Sequence, residues 1–308
     1  MTAPVPHDTR PAQLTRSRTT PLRAGRHVFD LRRRIAVMAI VNRTPDSFYD
    51  RGATFALDAA VAAGMAAFDA GADIVDVGGV KFAPGPAVPV DEECARVVPV
   101  VEALSCRGAV SVDTFQPEVA AAVIAAGASI VNDTTGLRDP RMVQVVAGSD
   151  AAIVIAHSLA EPRTPYPEPR YTDVAREVRA QLDHRVAVAI AHGVPRDRIV
   201  VDPGHDLNKS TRQTLELTRR LGELSALGLP MLVALSNKDF IGETLDRDRG
   251  DRLAGSLATA VWCVTQGARL VRAHNVRETV DAMRMIEAVH GWREPVRERH
   301  NTPPQGDD

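Results

Sequence analysis

Asn42, Asp76, Asp113, Asn132, Asp202 and Lys238 share one property in the sequence. Each stands at or just past the end of a short run of β-branched apolar residues. His157, Arg272 and His274 do the same. Asn and Asp side chains can read the donor and acceptor edge of a nitrogen heterocycle, because a carboxylate accepts paired N–H groups. Arg272 and His274 supply cations of the kind that hold phosphate. Eight of the twelve aromatics (Phe48, Tyr49, Phe55, Phe82, Phe115, Tyr166, Tyr171 and Phe240) lie near the same junctions, as do all three lysines, Lys81, Lys209 and Lys238. Together they suggest a pocket for a flat, polar, phosphorylated molecule. Blander readings stand beside several of them. Phe55 and Phe240 suit a core, His157 a structural hydrogen bond and Asp46 a loop cap, and Lys209 opens a helix where solvent would suffice.

Eight elements must position these groups. Apolar runs at 35–41, 74–77, 110–112, 130–131, 153–155, 199–201, 231–234 and 270–272 suit parallel strands buried on both faces. Amphipathic, Ala-rich stretches at 55–69, 91–105, 117–126, 172–192, 211–226, 251–266 and 276–290 read as helices between them. Glycines such as Gly71, Gly127 and Gly267 stand where a helix C-terminus calls for one. Eight β-then-α units in this length give a single-domain (β/α)8 TIM barrel, in which function sits at the C-terminal ends of the strands. No glycine-rich dinucleotide fingerprint follows the first run, which argues against an open Rossmann sheet.

The chain outside the barrel reads differently. The body covers 28–292, between an Arg/Pro-rich disordered arm at 1–27 and a disordered tail at 293–308. The arm also matches the composition of a transit peptide. Of 37 basic residues only three are lysine, and 39 acids leave a formal net charge of −2. That balance argues against nucleic acid and against a polybasic membrane binder. No apolar run approaches the roughly 20 residues of a membrane span. Three cysteines without metal-ligand spacing imply neither a zinc site nor a disulfide framework. A soluble, cytoplasmic protein is expected.

The same residues occur in runs that resemble dihydropteroate synthase, a pterin-binding barrel. Asn42-Arg43-Thr44-Pro45-Asp46-Ser47-Phe48 is similar to that family's first loop, Asn-Val-Thr-Pro-Asp-Ser-Phe. Ser111-Val112-Asp113-Thr114, Val131-Asn132-Asp133, Asp202-Pro203-Gly204, Ser236-Asn237-Lys238 and Arg272-Ala273-His274 follow in the family's order. The resemblance implies the condensation of 6-hydroxymethyl-dihydropterin pyrophosphate with p-aminobenzoate, with Mg²⁺ as the cofactor and a homodimer as the assembly. It implies that Asp113, Asn132, Asp202 and Lys238 hold the pterin and that Arg272 and His274 hold the pyrophosphate. Asn42 is then the residue for the metal.

The departures are as specific as the matches. After the second run the family reads Asp-Ile-Gly-Gly-Glu-Ser-Thr-Arg-Pro-Gly. Here Val80, Lys81, Phe82 and Ala83 replace the Glu-Ser-Thr-Arg of a loop that closes over the substrates. Asn237 stands where the family has Arg. The family's Ile-Gly-Phe-Gly-Lys becomes His205-Asp206-Leu207-Asn208-Lys209, without its aromatic and its two glycines. Pterin recognition is kept while the catalytic loop is rebuilt. The expectation is a second-copy dihydropteroate synthase relative, inactive or strongly impaired, that retains weak pterin or sulfa-type binding. The alternatives are a working synthase with a remodelled loop, a pterin-dependent methyltransferase-like barrel, and a non-enzymatic binding module.

Overall fold

Strands with apolar side chains on both faces need two covers, and a closed barrel ringed by helices supplies both. The computed structural model describes residues 21–44 and 56–301, and its strands and helices alternate in that way. A short antiparallel hairpin comes first, β1 (Leu22–Ala24) paired with β2 (His27–Phe29). The barrel strands are β3 (Ala36–Asn42), β4 (Ile74–Gly78), β5 (Ala109–Asp113), β6 (Ile130–Asp133), β7 (Ala152–Ala156), β8 (Ile199–Asp202), β9 (Leu232–Ala234) and β10 (Leu270–Ala273). All pair in parallel, each with its neighbour in sequence, and β10 returns to pair with β3. A single bridge, Val201 to Met231, and the hydrogen bond from Val201 N to Pro230 O at 3.0 Å join β8 to β9 and nearly close the ring.

The helices are α1 (Leu57–Asp69), α2 (Val90–Ser105), α3 (Pro117–Ala125), α4 (Pro140–Ala147), α5 (Val174–Ala191), α6 (Thr211–Arg219), α7 (Asp239–Leu245), α8 (Leu253–Thr265) and α9 (Val276–Val289). Two of them, α4 and α7, escape the periodicity because eight and seven residues are too few to establish it. Pro140 at the first turn and the Asp139 carboxylate, which accepts from Arg141 N, start α4. The stretch expected as one helix at 211–226 is two elements. A Ser210–Gln213 capping box opens α6, and a 3₁₀ turn, Leu221–Leu227, follows it. Among the described residues no helix is long and apolar enough to cross a membrane.

Alternation along each strand sorts the side chains. Val37, Val75, Val110, Ile153 and Val271 point outward against the helices. Met38, Ile74, Ile130, Val154, Val200, Leu232 and Leu270 point inward and fill the lower barrel. Leu22, Ala24 and Leu31 belong to that same interior cluster, so the hairpin plugs the N-terminal mouth. This corrects the boundary of the arm: packing begins at Leu22, inside the segment 1–27, because Leu22 and Ala24 are fully buried. Residues 1–20, like 302–308 of the expected tail, lie outside the described residues. So does the first loop from Pro45 onward, with Phe48, Tyr49 and Phe55.

Leu22→Ala should destabilise the protein by about 2–5 kcal/mol, the usual range for emptying a fully buried leucine site. Urea unfolding measures this, and a loss under about 0.5 kcal/mol would mean that the hairpin is not part of the core.

Candidate functional site

The inward-facing positions change character at the top of the barrel. Above the apolar layer the same parity delivers Asp76, Ser111, Asp113, Asn132, Asp202 and Arg272 to the interior. Arg272 is the centre of this floor. Its Nε donates to Asp76 Oδ2 at 2.6 Å and its Nη2 to Asp113 Oδ2 at 3.0 Å. Asn132 Nδ2 donates to the same Asp76 oxygen at 3.2 Å. Asp133, one residue on, faces outward. Its carboxylate accepts from Thr135 N, Thr135 Oγ1 and Leu137 N, which makes it a cap for the loop.

One guanidinium thus serves two carboxylates. Burial pushes Asp113 up to about 7, Arg272 opposes that rise, and the neighbouring acids Asp76, Glu93 and Asp133 reinforce it. Asp113 faces a cavity, so its side chain keeps 20 % exposure while the walls keep most solvent away. Burial works against the charge on Arg272, but Asp76 and Asp113 outweigh it and hold the guanidinium protonated. Asp76 Oδ1, Asn132 Oδ1 and Ser111 Oγ are buried with no protein partner. Orphaned polar atoms in one layer are where a ligand's N–H groups would be satisfied.

A cavity of about 570 Å³ opens above this floor. Asp113, Asn132 and Asp202 line it from below, and Arg272 and His274 from the end of β10. Asn42 and Lys238 line the sides. Val80, Lys81, Phe82 and Ala83, the rewritten loop, form one wall. The residues that the resemblance gives to pterin, pyrophosphate and metal, and the four of the altered loop, therefore line a single cavity. Lys238 donates its ammonium to the His205 carbonyl. Burial lowers the lysine's pKa while Asp206 and Asp202 pull it back up. His274 packs on Ser236, whose Oγ accepts from His274 N at 3.2 Å.

Asp202 accepts from Gly204 N at 2.7 Å. Gly204 has φ of 68° and lies where a Cβ would overlap the His157 carbonyl, so no other residue fits that turn. The residues at the two positions where the family writes glycine both have positive φ. Asp206 and Asn208 stand at φ of 61° and 50°, in the left-handed region that Asp and Asn tolerate best. Asp206 helps to hold its turn by accepting from Phe240 N and Thr214 Oγ1.

Some expectations do not survive. Among the described residues only Phe82, of the rim aromatics, lines the cavity; Phe240 is core at 1 % exposure. Lys209 is not a solvated helix start. It is buried, donates to Gly204 O at 2.8 Å and Leu207 O at 3.1 Å, and sits 3.0 Å from His157 Nδ1. Burial and Lys238 lower it to about 7, and burial and Lys209 lower His157 to about 3, so the imidazole is neutral at physiological pH. Asp76 and Ser111 stand among the strand-end residues of the sequence, and strand parity turns both into the floor. Asp206, Asp239, Arg249 and Gly250 as wall were not found there, because they depend on where loops travel.

The residues fit a magnesium ion only in part. Asn42 offers one hard amide oxygen, and among the described residues no three His, Cys, Asp or Glu side chains cluster as a metal site. That suits an ion carried in on a diphosphate, which keeps most of its ligands from substrate and water.

Comparison with known proteins places these features. The sequence profile described as "Pterin binding enzyme" matches residues 38–274. The inactive dihydropteroate synthase 2 of Mycobacterium tuberculosis is 45 % identical over 274 residues, covering 86 % of each chain. The dihydropteroate synthase of Escherichia coli K12 is 40 % identical over 264 residues, covering 85 % of this chain and 94 % of its own. Among solved structures, the dihydropteroate synthase of Yersinia pestis in a sulfonamide drug complex superposes with a TM-score of 0.84. It is 34 % identical and covers 89 % of this chain and all of the other.

Removing the shared cation tests the floor. Arg272→Met should cost about 3–5 kcal/mol at neutral pH by leaving buried carboxylates uncompensated. Asp113 already has a folded pKa above its unfolded value. Its contribution is therefore favourable below about pH 4 and is lost as pH rises toward 7. The variant should approach wild-type stability near pH 4 and fall away above it. A stability difference flat from pH 4 to 8 would refute the account.

Proposed function

This chain belongs to the pterin-binding enzyme family, and within it we propose a dihydropteroate synthase homologue that binds a pterin but completes the condensation with p-aminobenzoate poorly or not at all. One observation carries the reading: a single cavity has an intact recognition floor and a rewritten wall. Asp113, Asn132 and Asp202 would meet the amino and ring N–H groups of a pterin, and Lys238 a ring acceptor. Arg272 and His274 would face the pyrophosphate, with Asn42 offering an oxygen to a magnesium ion that neutralises it. Such chemistry rests on positioning and charge neutralisation.

The wall lacks what the second step needs. Ala83 has no fork of charged donors, and Asn237 has no charge. Losing two charge-assisted contacts at about 1.5–3 kcal/mol each would slow the reaction about 10²–10⁴-fold. The 45 % identity to relatives named as inactive, against 40–42 % to several named synthases, supports the same side. A second reading, a working synthase, is favoured by Lys81 lining the wall as a replacement charge. The ligand is a pterin-like small molecule and the location cytoplasmic. The assembly is a homodimer, for which exposed Trp262, Met285 and Val289 on α8 and α9 offer apolar surface. Sedimentation at micromolar concentration should give twice the chain mass of 33.1 kDa.

The test is an assay with both substrates and Mg²⁺, alongside titration of pterin pyrophosphate. Wild type should bind the pterin and give no product above about one hundredth of a working synthase's rate. Asp113→Asn should weaken pterin binding at least about tenfold, about 1.4 kcal/mol. The combined variant Val80→Glu, Lys81→Ser, Phe82→Thr, Ala83→Arg should gain product formation. Full activity of the wild type, abolished by Lys238→Ala, would establish the working synthase instead.

A further inference from the structure

The wall that departs most from the family is not held by its own sequence. Residues 79–88 contain no helix or strand, yet Val80, Lys81, Phe82 and Ala83 shape one side of the cavity. Their backbone groups find partners on a segment about 80 residues away, between β7 and α5. Arg163 N donates to Phe82 O at 3.0 Å, and Gly85 N donates back to Arg163 O at 3.2 Å. The guanidinium then takes three more carbonyls. Its Nη1 donates to Ala83 O at 2.8 Å and Lys81 O at 3.2 Å, and its Nε to Pro86 O at 3.0 Å. Beside this clasp Phe82 stacks on Tyr166 with ring centroids 6.2 Å apart.

Two features make the clasp specific. Gly85 lies so close to the guanidinium that a methyl group on it would overlap the head group. The clasp therefore needs glycine on one side and a planar, multi-donor cation on the other; lysine, a point charge, cannot reach three carbonyls in this arrangement. The segment bearing Arg163 is also anchored independently of the wall. Arg138 donates to Leu159 O and Ala160 O, and Asn208 Nδ2 donates to Pro167 O at 2.7 Å. Pro162, Pro165, Pro167 and Pro169 restrict its backbone further. One partner is stiff, so the shape of the wall is copied from it.

We propose that Arg163, seated against Gly85, is a positioning and specificity-determining residue: it fixes the 80–86 wall in place, so that the pterin cavity is preformed rather than closed by its ligand. The ligand half of this rests on the pterin reading above; the clasp itself does not.

Hydrogen exchange of the full-length protein tests the clasp without ligand. In Arg163→Ala, amides of residues 80–86 should exchange at least about tenfold faster, while amides of β4 and β5 keep wild-type rates. Gly85→Ala, which keeps the cation and displaces it, should do the same, and the double variant should add little to either. Arg163→Lys should resemble Arg163→Ala. Should Arg163→Ala fail to fold, Gly85→Ala carries the test. Stopped-flow binding of pterin pyrophosphate then reads specificity: both variants should raise the dissociation rate at least about fivefold. Unchanged exchange at 80–86 in Gly85→Ala overturns the clasp. Faster exchange with unchanged pterin kinetics overturns its role in specificity. No pterin binding by wild type overturns the pterin reading while the exchange result still decides the clasp.

Discussion

The upper barrel depends on one cation. Arg272 emerges from β10 into an interior that also receives Asp76 and Asp113, and without it two carboxylates would share a closed space with neither ion-paired. Buried ions of this kind are tolerated only when paired and hydrogen-bonded. The pairing also fixes orientation, since a planar guanidinium bonded on two edges holds both carboxylates in register. What lies above inherits that order. The Asp76 oxygen that accepts from Arg272 also accepts from Asn132, so a loss at Arg272 would travel across three strands.

Such a floor was legible in the sequence because strands repeat every two residues. Once β5 runs Ala109–Asp113 and β6 runs Ile130–Asp133, parity alone puts Asp113 and Asn132 on the inside and Asp133 on the outside. The motif runs then named their chemistry. Loops obey no such rule. Nothing local marks Arg163 as the partner of residues 81–86, or Asp206 as part of the wall, because these depend on where distant segments cross. Lys209 admits two readings in the sequence for a related reason. A lysine before a helix looks solvated until the turn at Gly204 folds back and supplies its carbonyls. The short helices α4 and α7 fell below the length at which a 3.6-residue period can be seen.

Change has been tolerated unevenly around the cavity, and the physics of each site explains where. Floor residues are coupled through shared hydrogen bonds and charge, so a single replacement strands a neighbour. The wall is held through its main chain, and main-chain bonds are indifferent to side-chain identity. Main-chain carbonyls at 81–83 are bound by Arg163, so the path of this stretch does not rest on its own side chains. At 206 and 208 the backbone limits the side chain instead: both residues stand in the left-handed region, which Asp and Asn admit at small strain.

The placement of the lysines has a consequence for the protein's exterior. Lys81 and Lys238 line the cavity and Lys209 is buried beneath it, so no lysine ammonium stands on the outer helical surface. Arginine provides the positive charge there, and its guanidinium keeps its proton throughout the physiological range. Acylation of lysine, whether enzymatic or by a reagent, therefore has almost no target on the outer helical surface. Lysine acylation that does succeed on the folded protein reports on the mouth of the cavity.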